Sequence, residues 1–236
     1  MDRETIEALR RVSTDTIAGL LIRMAGMRTR IVQGVRPLSP AHCRFVGPAF
    51  TVRCVPVRED FTDRASMANP GNPLHGTYDR IPAGAVLVMD MMRDTRSGGL
   101  GDVLASGLRA RGVAGLVLDG GIRDGEAIAA LGLPVFCGGV APAPIGRSVM
   151  AVDAEVPVGC GEVLVEPGDI VVADADGVAV IPQRLAGEVA RRGLEHDEVE
   201  NWVRARIENG EPMTGLYPPN DAVRAEFRSW RARQTA

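Results

Sequence analysis

The 236-residue chain contains no lysine: all 27 of its basic side chains are arginine. Imine catalysis and pyridoxal phosphate attachment need a lysine amine, and a P-loop needs a lysine on its phosphates, so these three chemistries are excluded. A carbonyl substrate must then be activated by a metal or by hydrogen-bond donors. The four cysteines, Cys43, Cys54, Cys137 and Cys160, form no CxxC pair. They read as reduced core thiols, not as a zinc site or a disulfide framework. No apolar run approaches the roughly 18 residues that span a bilayer, and the charged start "MDRETIEALRRV" is unlike a signal peptide. A cytoplasmic, soluble protein with no membrane partner is expected. Positive charge is not in excess either: the formal net charge is −3, which argues against a nucleic-acid partner. A small molecule is the expected ligand.

What is present is an ordinary 45% of apolar residues, enough for a sizeable core. Residues 3–11 and 15–25 have helical periodicity, with Ser13 or Thr14 as N-cap of the second segment. Residues 44–57 read as one or two strands. After a Pro/Gly/Asn-rich stretch at 69–76, buried strands at 85–90, 114–119 and 133–139 alternate with helices at 98–112 and 123–132. That alternation implies parallel pairing through right-handed crossovers. From 148 to 181 short β-rich runs, "EVLV" among them, are broken by Gly, Asp and Pro turns and read as antiparallel. A long charged helix is expected over 183–209 and a last one over 220–233. With no linker, repeat or low-complexity tract, the expectation is one mixed α/β domain, residues 1–182, with a C-terminal helical arm at 183–236.

Ligands of parallel sheets bind beyond the carboxyl ends of the strands. Asp119, Gly120, Gly121, Arg123 and Asp124 are placed there by the 114–119 strand. The loop after the 85–90 strand leads to Gly98, Gly99 and Gly101, which open the 98–112 helix at the same edge, where backbone N–H groups attract anions. A guanidinium grips a carboxylate through paired hydrogen bonds, so Arg123 suits a clamp for a small acid. Asp124 suits a divalent ion, since Mg²⁺ takes one or two carboxylates and fills its other positions with water and substrate. Spacing leaves a second reading open, in which Asp124 N-caps the 125–131 helix and Arg123 is its surface ion partner. Asp102 likewise could serve only as a favourable charge at a helix start. His42, His75 and His196 lack ligand spacing, and the acidic run at 195–200 reads as a solvated helix face. A dinucleotide site built on Gly99, Gly101 and Asp119 is a weaker alternative, because Leu104 stands where a third glycine is required.

The run "GDVLASGLRARGVAGLVLDGGIRD", with Asp102 and Arg123-Asp124 separated by twenty residues, resembles the signature of the RraA-like family, which includes class II 4-hydroxy-4-methyl-2-oxoglutarate aldolases. The similarity extends over residues 10–182. It implies a β/β/α sandwich with a short parallel βαβαβ core, an antiparallel β-rich second half, and assembly as a homotrimer or homohexamer with the site between subunits. In the aldolase branch it implies that Asp124 coordinates Mg²⁺ or Mn²⁺ and that Arg123 binds the carboxylate of pyruvate. It further implies that the loop Gly98, Gly99, Gly101, Asp102, Val103, Leu104 contacts substrate and that Asp102 positions a catalytic water. Glu198 or Glu200 of a neighbouring subunit's arm would complete the water shell. The implied activity is a metal-dependent carbon–carbon lyase: retro-aldol cleavage of a 2-oxo acid to pyruvate, or oxaloacetate decarboxylation, through a stabilised enolate. The family also implies two alternatives, a non-catalytic regulator of ribonuclease E or a helicase, and a sugar-acid dehydratase or 2-oxo-acid hydratase on the same site. Two positions depart from the aldolase pattern. Ala127 stands where an acid is expected, with Glu126 beside it, and "FCGGVAPA" at 136–143 lacks the arginines of that branch. The resemblance also favours a neighbouring subunit, over the domain's own core, as the surface that covers the arm's apolar stripe. Leu216 and Tyr217 are expected to be partly exposed.

Overall fold

The computed structural model describes residues 2–61, 69, 70, 72, 74 and 76–234. His75 lies outside them. Two helices open the chain, α1 (Arg3–Leu9) and α2 (Thr14–Ala25). Ser13 is the N-cap of α2, its hydroxyl accepting the Thr16 N–H at 3.1 Å. The strands are β1 (Arg36–Pro37), β2 (Phe45–Pro56), β3 (Val86–Asp90), β4 (Gly115–Ile122), β5 (Val135–Val140), β6 (Val149–Ala154), β7 (Ile170–Ala173) and β8 (Val178–Ile181). The remaining helices are α3 (Thr77–Arg80), α4 (Asp102–Ala110), α5 (Gly125–Leu131), α6 (Ala186–Glu208) and α7 (Asp221–Gln234).

The sheet order is β1-β5-β4-β3-β2-β7-β8, with β6 on β2. Strands β2 to β5 pair in parallel, and β1, β6, β7 and β8 add antiparallel ladders. The run β3–α4–β4–α5–β5 is the expected βαβαβ unit. Strand β2 joins the two halves: Phe45–Pro48 pair with β7, while Ala49–Arg53 pair with β3. It therefore curls the sheet without ending.

Side chains alternate across each strand, and this period of two sorts the core into layers. Leu87, Met89, Leu116 and Leu118 face Ala105 and Leu108 of α4 and Ile128 of α5. Val86, Val88, Val117 and Phe136 point the other way, onto Val171, Ala173, Val178 and Val180. The opposite faces of β7 and β8, through Ile170, Val172, Ala179 and Ile181, pack on Leu9, Ile17, Leu21 and Val189. The β/β/α sandwich thus carries an additional helical layer, α1, α2 and the first half of α6. Each fully buried Leu, Ile or Val side chain contributes roughly 1.5–3 kcal/mol.

The arm finds its covering surface within the same chain. Val189 and Ala190 close the third core, while Val199 and Val203 pack with Leu216, Val223 and Phe227. Trp202, Phe227 and Trp230 meet with ring centroids 5.8 to 6.2 Å apart. Leu216 is buried, against expectation, whereas Tyr217 is 58% exposed. The "EVLV" segment is not a strand either. Positive φ at Gly161 and Glu162 bends it into a 3₁₀ turn, and only Val158 and Val165 bridge.

Candidate active site

The parallel strands deliver their carboxyl ends to one edge, as the alternation implied. Strand β4 runs further than expected, to Ile122, so Gly120 and Gly121 are part of it as well as Asp119. The 91–98 loop serves as its extra partner there: Gly121 donates its N–H to the Asp94 carbonyl at 3.0 Å, and Gly99 donates to the Gly121 carbonyl at 2.9 Å. Arg123 and Asp124 then stand at the junction of β4 and α5.

Asp124 adopts a left-handed conformation (φ 52°, ψ 40°) and occupies the N-cap position of α5, but its side chain caps nothing there. Its main-chain carbonyl starts the helix by accepting the Ile128 N–H at 2.9 Å. The carboxylate instead turns toward the start of α4, where Oδ2 lies 3.4 Å from the Asp102 N–H. Among the described residues Arg123 forms no ion pair with Asp124, and its buried Nε has no hydrogen-bond partner. The reading in which the two neighbours serve only a helix cap and a surface ion pair is therefore excluded.

Glycines make room for both side chains. A Cβ on Gly98 would lie 2.5 Å from Arg123 Cγ, and one on Gly101 would lie 2.5 Å from Asp124 Oδ2. Several of the amides expected to face an anion are engaged elsewhere. Gly98 donates to the Ala143 carbonyl at 2.8 Å and Gly99 to that of Gly121, so neither N–H is free for an anion. The Val103 N–H is also engaged, by Asp102 Oδ1 at 2.8 Å. Val103 itself is 80% exposed, and half-buried Leu104 packs on the first core.

Asp119 does not serve a dinucleotide. Its two carboxylate oxygens accept the Met91 N–H at 2.6 Å and the Gly161 N–H at 3.0 Å, which ties β4 to two loops. Burial pushes its carboxyl above the ordinary value. The cysteines are free, buried core thiols, and burial pushes Cys54 up to about 12. The sequence reading missed one cluster beside the site. Asp94 accepts from Ser97 Oγ at 3.0 Å, Arg96 Nε at 2.5 Å and Ser148 Oγ. Burial would raise the Asp94 carboxyl, but these hydrogen bonds hold it below the ordinary value. Asp94 and Ser148 are 54 residues apart in the chain, and no local period announces their meeting.

Beyond the carboxylates lies an open groove of about 650 Å³, lined by Asp102, Asp124, Gly125, Glu126, Ala127, Ala130, Val140, Ala141 and Pro142. Arg123 does not line it; its Cγ lies against Gly98.

Residues 11–180 match the RraA-like family, described as Aldolase/RraA. The chain belongs to that family. It is 36% identical over 155 residues to a candidate 4-hydroxy-4-methyl-2-oxoglutarate aldolase of Halalkalibacterium halodurans, a match covering 66% of this chain and 67% of that one. It is 28% identical over 179 residues to DlpA of Legionella pneumophila, where the match spans 76% of this chain and only 28% of the longer relative. Among solved structures, RraAS2 of Streptomyces coelicolor, titled an unusual member of the RNase ES inhibitor RraA family, superposes with a TM-score of 0.78 at 33% identity. That match covers 86% of this chain and 97% of RraAS2.

In this RraA-like chain the residues present suit a hard divalent cation. No group of three or more His, Cys, Asp or Glu side chains able to hold a metal occurs among the described residues, which rules against a closed zinc-type cage. Asp102 and Asp124 nevertheless share one groove, and Asp124 keeps its carboxylate free apart from a single long N–H contact. Two carboxylates with water at the other positions are what Mg²⁺ or Mn²⁺ accepts. Glu198 and Glu200 sit on α6, whose layer lies across the sandwich from α4 and α5, so within one chain they do not join Asp124. Glu198 pairs with Arg231 at 2.7 Å, and Glu200 lies 3.8 Å from His196. Ala127 and Glu126 both line the groove, so an acid reaches it from one position earlier than the aldolase pattern has it. No described helix is long and apolar enough to cross a membrane.

Proposed function

We propose that this chain is a divalent-metal-dependent lyase that cleaves a 2-oxo acid between C3 and C4, releases pyruvate, and decarboxylates oxaloacetate at the same site. The observation that carries the reading is the state of two adjacent opposite charges: the Arg123 and Asp124 side chains form no ion pair with each other among the described residues, and the Asp124 carboxylate does not cap the helix that follows. Leaving the buried Arg123 Nε without a partner costs stability, and a site for a carboxylate accounts for it; the exposed Asp124 carboxylate beside it is open to a cation. The aldolase name of the Halalkalibacterium relative supports the same reaction class.

In this mechanism Arg123 holds the C1 carboxylate through its planar fork, which fixes the substrate's orientation over the 98–101 loop. Asp124 would hold Mg²⁺ or Mn²⁺, with water and substrate at the ion's other positions, and the ion when bound supplies Lewis-acid stabilisation of developing negative charge. The C4 hydroxyl loses its proton as the C3–C4 bond breaks, C4 becomes a carbonyl, and the electron pair passes to C3 and the 2-oxo group. C3 then takes a proton, and pyruvate leaves. In oxaloacetate the same electron pair is released when the C4 carboxylate departs as CO₂. Asp102, at the groove's mouth, holds the water that carries these protons. A chain without lysine has no imine route to the same end.

The likeness to RraAS2 favours a second reading, a regulator of an RNase E-type ribonuclease. The superposition on RraAS2 covers 86% of this chain, more than residues 1–182 alone, so it reaches into the arm. Pyruvate release from a panel of 2-oxo acids decides between the two readings. We expect turnover that EDTA abolishes and Mg²⁺ or Mn²⁺ restores. Turnover undiminished in excess EDTA refutes the metal role, and no turnover combined with inhibition of the ribonuclease establishes the regulator.

A further inference from the structure

We infer that the fragment released from C4 is uncharged and apolar, so that the retro-aldol substrate is a 4-hydroxy-2-oxo acid ending in an alkyl group and not in a second carboxylate. The inference rests on the lyase reading and names its substrate class. With C1 held at Arg123 and the reacting carbons beside Asp124 and Asp102, the far end of the substrate enters the groove. Its walls there are Ala127 and Ala130 of α5 and Val140, Ala141 and Pro142 at the end of β5. Val140 is 60% exposed, an apolar surface left bare beside the reacting carbons.

The single charge on this part of the groove is Glu126, and among the described residues no arginine or histidine lines it. A terminal carboxylate placed here loses water, gains no cationic partner from the described lining residues and faces the like charge of Glu126. A methyl or ethyl group covers apolar surface instead. Selectivity then comes from repulsion of the wrong ligand as much as from attraction of the right one. Oxaloacetate does not meet this wall, because its chain ends at C4 and its second carboxylate lies at the reacting position. The dicarboxylate in the relative's name is thus the substrate class this wall disfavours.

The test uses 4-hydroxy-2-oxopentanoate and 4-hydroxy-2-oxoglutarate, identical through C4 and differing in CH₃ against CO₂⁻ at C5. With the full chain and Mg²⁺, kcat/KM is expected to be roughly tenfold or more higher for the pentanoate. Calorimetric titration with the unreactive pair 2-oxopentanoate and 2-oxoglutarate is expected to give the same order of affinity. Glu126→Gln should narrow both ratios several-fold, with thermal melting confirming the fold. Equal or better turnover of the dicarboxylate overturns the inference, and an unchanged ratio in Glu126→Gln overturns the groove's part in it. Decarboxylation of oxaloacetate without cleavage of either hydroxy acid overturns the substrate class and leaves the lyase reading standing. Pyruvate from none of the three sinks both.

Discussion

Substituting Gly101 by alanine isolates the position of the Asp124 carboxylate from the stability of the fold. The backbone at Gly101 is extended (φ −119°, ψ −173°), so alanine adopts it without strain, and its smaller unfolded-state freedom stabilises by about 0.4–1 kcal/mol. Its Cβ would stand 2.5 Å from Asp124 Oδ2, whereas ordinary contact begins at 3.4 Å. The carboxylate must therefore retreat by about 0.9 Å, which an exposed side chain does without moving the backbone. The Asp102 N–H, already 3.4 Å away, is then lost to it. A displacement near 1 Å at a reacting site costs about 10²-fold in rate, and disturbing a ligand's support costs about 10- to 100-fold in metal affinity. Gly101→Ala is thus expected to melt at or above the wild-type temperature while losing about 10²-fold in kcat and binding Mn²⁺ about tenfold more weakly. Thermal melting, calorimetric Mn²⁺ titration and pyruvate release measure the three. Gly98→Ala is the contrast: its Cβ would meet the Arg123 main-chain nitrogen at 2.6 Å, so the backbone itself must move, at about 1–3 kcal/mol. Wild-type kcat and Mn²⁺ affinity in Gly101→Ala would refute the placement of the metal at Asp124.

Asp124→Asn keeps a residue that tolerates φ 52° but removes the charge. It should abolish EDTA-sensitive pyruvate release with little change in melting temperature, and retained activity would remove Asp124 from the site. Arg123→Lys should fail to rescue Arg123→Ala, because a point charge does not reproduce a planar fork; a wild-type KM for oxaloacetate in the lysine variant would count against the clamp. The Asp94 carboxyl is held below its ordinary 3.8, so its stabilising contribution is present above that value and is lost as pH falls through its lower folded value. Ser148→Ala should therefore cost about 1 kcal/mol near pH 7 and less near pH 3, read by urea titration, and equal costs at both would contradict the assignment. Light scattering is expected to give three or six copies of the 25.1 kDa chain, and a fully active monomer would refute a site shared between subunits.

The alternation of apolar strands with helical segments between residues 85 and 139 was legible from the sequence, because strand and helix periods are local and each hydrophobic face must be buried. The same holds for the Ser13 cap, for the chemistry that a lysine-free chain cannot perform, and for Arg123-Asp124 at a strand's end. The tertiary structure alone decided what those groups are free to do. Adjacency in sequence allowed Arg123 and Asp124 to pair, and only the approach of the 98–101 loop shows the carboxylate turned toward α4 and the guanidinium unpartnered. Glycines that suggested anion-binding amides give clearance to side chains, and the N–H groups of Gly98 and Gly99 are taken by Ala143 and Gly121, more than twenty residues away. Asp119 looked like a ribose ligand by spacing and is a tie between loops. The Asp94–Ser97–Ser148 cluster and the arm's return onto its own chain are contacts between distant segments. Their free energy comes from burial and hydrogen bonds that exist only once the layers have closed, and a period of two or 3.6 residues carries no record of them.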